Sequence, residues 1–162
     1  MTTWKITRSF ILPVIVLILV PWCIHTWIEP LSFTHLVTAL SGLVFLLIGL
    51  GILAWTNVLF IVFGEGTLAP WDKTKKLVIL GPYRYVRNPM ILGVITSLFG
   101  EALLFGSFYL LAWALLFSVV NHLYLSIREE QELTERFGEA YTRYKASVPR
   151  WLPSVTPVNF DP

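Results

Sequence analysis

Cysteine is nearly absent. The chain has one, Cys23, among 162 residues, and it lies inside an apolar run, which excludes a disulfide framework and a cysteine-ligated metal cluster. Histidine is scarce too: His25, His35 and His122 are too scattered to form a ligand pair at helical spacing, so no metal is expected. Charged residues make up only 14% and the formal net charge is +2, too little to argue for a nucleic-acid partner. No phosphate-cradling glycine loop of the GxGxxG kind occurs, which speaks against a soluble dinucleotide-type site.

What the chain has is apolar length. It is 56% hydrophobic with a mean hydropathy of +0.69, the balance of a membrane protein and not of a soluble domain. A helix needs about 20 apolar residues to cross a bilayer, and four segments qualify, at about 10–28, 35–63, 89–105 and 107–127. Pro13 and Pro21 are expected to kink the first, since proline removes a backbone donor. Lys5 and Arg8 precede it as in a signal peptide, but no small-residue cleavage site follows, so it should stay as an anchor. The second exceeds one bilayer thickness and should tilt or project. Pro89 is well placed as a first-turn proline of the third. Gly106 and Ser107 are the only break before the fourth, so helices three and four should form a tight antiparallel hairpin.

Lysine and arginine set the orientation. Lys5 and Arg8 precede helix one; Lys73, Lys75, Lys76, Arg84 and Arg87 lie between helices two and three; Arg128, Arg136, Arg143, Lys145 and Arg150 follow helix four. With four spans all 12 cations fall on one side. The expected fold class is therefore an all-α integral membrane protein, a single membrane domain over 1–162, with four transmembrane helices, a cytosolic helical tail over 128–162 and both termini in the cytoplasm.

Two polar stretches then meet at the cytoplasmic surface: "LGPYRYVRNPM" over 80–90, and "REEQELTERFGEAYTRYKASVPRWLP" over 128–153. In this order, across one hydrophobic hairpin, they resemble the isoprenylcysteine carboxyl methyltransferase and phospholipid methyltransferase superfamily of integral membrane enzymes. The resemblance covers about the second half of the chain, with "GEGTLAP" from Gly64 to Pro70 as an extension. It implies methyl transfer from S-adenosyl-L-methionine, bound at the cytoplasmic membrane surface, to a lipophilic or lipid acceptor such as an isoprenylcysteine-like carboxylate or a phospholipid amine. Members pair an Arg-His-Pro segment with a double glutamate, matched here by Arg87-Asn88-Pro89 and Glu129-Glu130. The family histidine is thus Asn88, Met90-Ile91 stands where a tyrosine often follows the proline, and Leu125 holds a place that is arginine in the eukaryotic carboxyl methyltransferases.

The residue chemistry is compatible. The cofactor's sulfonium asks for carboxylates, its amino acid head for charged or amide partners, and its adenine for an aromatic or apolar slot. Glu129 and Glu130 answer the first need, Arg87 and Asn88 the second, Tyr83 and Tyr85 the third, with Pro89 opening the helix behind them. His122, Ser126 and Glu129 or Glu130 follow at helical spacing, so His122 is a candidate proton acceptor beside Asn121 on a pocket wall. Glu129, Glu130 and His122 are the candidate catalytic residues. Each has a plainer reading. Arg84 and Arg87 serve as topology anchors and Tyr83 and Tyr85 as interfacial aromatics; the glutamates form a solvated helix face, as Glu132 and Glu135 are taken to do; His122 is satisfied by another helix. Glu101 is expected at the opposite interface, and Trp151 either closes the pocket or anchors the tail. Two other functions stay open: a nicotinamide-dependent membrane reductase of the sterol type, and a non-catalytic membrane protein that retains the fold.

Overall fold

A computed structural model of the chain describes residues 11–29, 35–64 and 76–158, and the regular elements among them are all helical, with no strand. Lys5, Arg8, Lys73, Lys75 and the stretch after Gly64 that extends the family resemblance lie outside the described residues. The first helix, α1, covers Ile11–Trp27 and contains a π turn at Ile15–Leu19. That turn precedes Pro21, whose missing N–H leaves the ladder a donor short, as is usual where a helix is irregular. Next come α2, Leu36–Phe63; a 3-10 turn, Gly81–Arg84; α3, Pro89–Phe105; α4, Phe108–Phe137; and α5, Glu139–Ser147.

Helices α2 and α4 are long and apolar enough to cross a membrane, while α1 and α3 are shorter and apolar. At 1.5 Å per residue, α2 is about 42 Å long, beyond the ~30 Å of a hydrocarbon core. Its outward side carries Val37, Leu40, Leu47, Ile48, Trp55 and Val58, all exposed. So much bare apolar surface belongs against lipid and not water.

Small residues hold α2 to α3. A Cβ on Gly100 would lie 2.5 Å from the Leu46 nitrogen, and one on Gly49 would lie 2.5 Å from the Gly93 carbonyl oxygen. Gly42 meets the backbone of Leu104 in the same way. Two glycines seven residues apart on each helix thus let the backbones touch, which suits a membrane interior where dispersion, and not water exclusion, drives helix pairing. Thr56 and Ser97 are fully buried and bond their own helices' carbonyls, Ile52 and Gly93, at 2.8 and 2.9 Å.

Gly106 ends α3 in the left-handed region, φ 61°, and Ser107 caps α4 by accepting from the Leu110 N–H at 3.2 Å. Ser107 also donates to the Glu29 carboxylate, which ties the end of α1 to this link. Leu17, Leu53, Val94, Leu98 and Ala114 form the core between the four helices. Glu101, expected to reach the opposite interface, is buried at 8% exposure.

The fourth helix does not stop where hydrophobicity does. No glycine or proline occurs between Phe108 and Phe137, so the backbone continues past Ile127 into the polar tail and breaks only at Gly138, φ 56°. Past it, α5 folds back so that Tyr141, Tyr144 and Val148 pack with Leu77, Leu133 and Phe137.

Candidate active site

The segment before α3 is laced to the C-terminal segment through its backbone. The N–H groups of Arg87, Ser154 and Val158 donate to the carbonyls of Pro149, Tyr85 and Arg84 at 2.9, 2.9 and 3.0 Å. Arg84 Nε donates to the Val158 carbonyl, also at 3.0 Å, and Tyr144 Oη to the Tyr83 carbonyl at 2.7 Å. Both polar stretches singled out in the sequence are therefore one layer, seated over the ends of α2, α3 and α4.

Glu129 and Glu130 reach this layer through a π turn, Leu125–Glu129, in which the Glu130 N–H bonds to the Leu125 carbonyl five residues back. Residues five apart then stack, where an α-helix would stack those four apart. Leu125 and Glu130 are both buried, and Tyr124 and Glu129 together face a cavity. The two glutamates consequently point to different places.

Glu130 is the centre of an ionic cluster. Its Oε1 accepts from Arg87 Nη1 at 2.8 Å and from Arg150 Nε at 2.7 Å, and its Oε2 lies 2.7 Å from Lys145 Nζ. Arg150 Nη1 also donates to Ser126 Oγ at 2.5 Å. Burial works against the charge on Glu130, but the hydrogen bonds from Arg150 and Lys145 and the field of Arg87 outweigh it, so its pKa lies below the usual carboxylate value. Glu129 has no ion pair among the described residues. Burial and then the charge of Glu130 raise its pKa.

The cavity that Glu129 faces has a volume of about 260 Å³. Tyr83, Arg87, Asn88 and Asn121 give it polar walls; Leu12, Phe60, Met90 and Ile91 give it an apolar side; Leu133, Phe137, Tyr141 and Tyr144 close it from the tail. Two buried atoms of residues lining the cavity lack a partner among the described residues, Tyr83 Oη and Arg87 Nε. Burial, followed by the fields of Tyr144 and Glu129, holds the Tyr83 pKa well above its usual value, so this hydroxyl stays neutral.

The sequence candidates divide accordingly. Tyr83, Arg87, Asn88 and Glu129 line the cavity, and Pro89 is buried at the first turn of α3 behind them. Tyr85 is exposed and lies off the cavity lining, its carbonyl bound to Ser154. His122 is exposed as well: its Nδ1 accepts from Trp151 Nε1 at 2.9 Å, outside the cavity. His122, Ser126 and Glu130 on α4 bond instead to the C-terminal segment, His122 to Trp151 and the other two to Arg150, and the π turn takes Glu129 off that side. The sequence did not single out Lys76, Arg136, Tyr141 and Tyr144, which line the cavity, and Glu132, taken as a solvated face, lines it too; Lys145 and Arg150, the tail partners of Glu130, also went unread. The tyrosines carried a signal, since 141, 144 and 148 lie on one helical face.

An adenosyl amino acid sulfonium fits these donors. Tyr83 Oη and Arg87 Nε are buried polar atoms with no partner among the described residues, Asn88 adds an amide with donors and an acceptor, and Glu129, which shares the cavity wall with Lys76, Arg87 and Arg136, makes no ion pair among the described residues. Phe137 and Tyr141 supply flat apolar surface.

The chain is thus a helical protein with bare apolar helices and a cavity, polar on one side and apolar on the other, set where its polar tail meets those helices. Residues 37–140 match the family model described as phospholipid methyltransferase, and the chain belongs to that family. Protein-S-isoprenylcysteine O-methyltransferase of Schizosaccharomyces pombe (strain 972 / ATCC 24843) is 36% identical over 87 residues, which are 52% of this chain and 36% of that relative. The chain thus spans about a third of the relative's length. No solved structure matches it.

Proposed function

We propose that the protein transfers a methyl group from S-adenosyl-L-methionine to a lipophilic acceptor held at the cytoplasmic membrane surface. The observation that carries this reading is the cavity, in which Arg87 and Asn88 at the start of α3 face Glu129 on α4 beside an apolar side made by Leu12, Phe60, Met90 and Ile91. Bound there, the cofactor would supply an activated methyl on a cationic sulfur, to be displaced in line. Glu129 complements the positive charge, Arg87 Nε and Asn88 take the amino acid head, and Tyr83 Oη donates a hydrogen bond without ionising. The chain's contribution to rate is alignment of the two reactants and exclusion of water, which the tail achieves by roofing the cavity with α5. His122, outside the cavity and bonded to Trp151, is assigned to holding that roof and not to proton transfer.

In this reading α1 to α4 are four spans of one membrane domain, α3 and α4 form a hairpin, and both termini are cytoplasmic. The one-sided distribution of lysine and arginine supports that orientation. Calorimetry of the purified protein with S-adenosylhomocysteine and, separately, with NADPH tests the cofactor. Binding of the first and not the second is expected; the reverse would favour a reductase, and binding of neither a non-catalytic protein.

A further inference from the structure

We propose that Arg150, in the C-terminal segment, is a positioning residue for the cofactor cavity and acts on Arg87 through Glu130. The inference rests on the cofactor reading above. Arg87 and Arg150 share one atom, Glu130 Oε1, at 2.8 and 2.7 Å. Arg150 is fixed at a second point, Ser126 Oγ, one turn earlier on α4, so its guanidinium plane is held against the helix. Its neighbour Pro149 supplies the carbonyl that accepts the Arg87 N–H. Arg87 is therefore held at its backbone by the residue next to Arg150 and at Nη1 by the oxygen that Arg150 holds. The Arg87 side chain also donates a hydrogen bond to the Tyr141 hydroxyl, and Nε, buried on the cavity wall, has no partner among the described residues.

The charge balance explains why Arg150 matters to that atom. One carboxylate meets three cations, Arg87, Lys145 and Arg150, and a planar guanidinium gripped at two points fixes geometry where an ammonium does not. Lys145 is half-exposed and pulls on the other oxygen, Oε2. Without Arg150, the Glu130 carboxylate is free to turn toward Lys145 and solvent, and Arg87 Nη1 follows it. Nε then loses the direction that the cofactor's carboxylate needs. A residue of the tail thereby tunes a site that it does not touch.

The test is a thermodynamic cycle on S-adenosylhomocysteine binding, by calorimetry, with the full chain in detergent and melting curves on each variant. Arg87→Gln and Arg150→Gln should each weaken binding about tenfold, the lower end for loss of one charge-assisted bond. The double variant should bind as Arg87→Gln does, because Arg150 has no other route to the ligand. In turnover, Arg150→Gln should raise KM for S-adenosylmethionine and leave kcat at saturation within about twofold. Wild-type affinity in Arg150→Gln, or losses that multiply in the double variant, would overturn the proposal. If Arg150→Gln fails to fold, Arg150→Lys goes through the same cycle, and its binding should again be weakened in wild type and unchanged beside Arg87→Gln. A wild-type protein that binds no S-adenosylhomocysteine would remove the cofactor reading itself, and the relay with it.

Discussion

Glu129→Gln and Glu130→Gln remove the same charge from adjacent positions, and opposite consequences are expected. Gln at 130 presents an amide to three cations and leaves Arg87, whose side chain is 10% exposed, without its counter-charge. Removing one partner of a buried pair costs about 3–5 kcal/mol; the Lys145 contact, at 46% exposure, adds little. Glu130→Gln should therefore melt well below wild type. Glu129 has its pKa raised by burial and by Glu130, so folding disfavours its charge, and glutamine should leave the melting temperature equal or higher. It should instead lose one charge-assisted ligand contact, about 1.5–3 kcal/mol or ten- to hundredfold in S-adenosylhomocysteine affinity. Acid titration separates the two in the wild type. A carboxylate with a depressed pKa, Glu130, contributes stability that is present above the ordinary glutamate range and is lost as pH falls through its lower folded value. A carboxylate with a raised pKa, Glu129, is protonated first on the way down, and the fold gains from that step. Ligand affinity should thus decline at a higher pH than the melting temperature does. Equal destabilisation by the two substitutions, or affinity and stability falling together with pH, would refute this division of roles.

A reporter fused after Pro162 and one inserted near Lys75 should both report cytoplasm, and either on the outside would exclude the four-span reading. Gly49→Val places a Cβ 2.5 Å from the Gly93 oxygen and should cost at least about 1–3 kcal/mol, seen as lower folded yield in detergent, while Gly51→Ala, where nothing lies within 4 Å, should be neutral. Asn88 makes no side-chain cap bond to α3, so Asn88→Ala should spare the melt and weaken S-adenosylhomocysteine by about 1–3 kcal/mol, with Asn88→His tolerated; calorimetry beside melting curves checks both.

The helix ends at Pro89 and Phe105 were legible because proline and glycine punctuate the chain there. The end of the fourth helix was not. Hydrophobicity stops at Ile127 because the solvent changes, whereas the backbone needs a glycine to stop, and the next is Gly138. The two motifs that build the cavity could be read from their order, but their division of labour could not, since a π turn leaves no mark in composition. An unbroken α-helix over 122–130 would keep His122, Ser126 and a glutamate on one wall; the extra residue in the turn instead sends Glu129 inward and leaves Glu130 with Arg150. Tyr83 and Tyr85 are two residues apart in a tight turn, so one is buried and the other is not. Lys145 and Arg150 read only as topology charges, because their partner lies 15 and 20 residues away.

Three cations converging on one buried carboxylate would be a poor way to gain stability alone. Desolvating such groups offsets most of what their attraction returns, and well-packed apolar residues of the same volume often do as well. The cost has a use here because of what the cluster joins. The loop before α3, the polar end of α4 and the C-terminal segment meet where lipid ends, and the apolar surface they bury together is centred on Tyr141, Tyr144 and Val148. A hydrophobic patch in that place would pull the roof toward the bilayer as readily as toward its own helices. A carboxylate fixed on α4, contacted from the loop by Arg87 and from the tail by Lys145 and Arg150, has one geometry that satisfies all three. The ionic cluster therefore specifies the register of the roof over the cavity, and the neighbouring Glu129, turned inward by the same π turn, faces that cavity with no ion pair among the described residues.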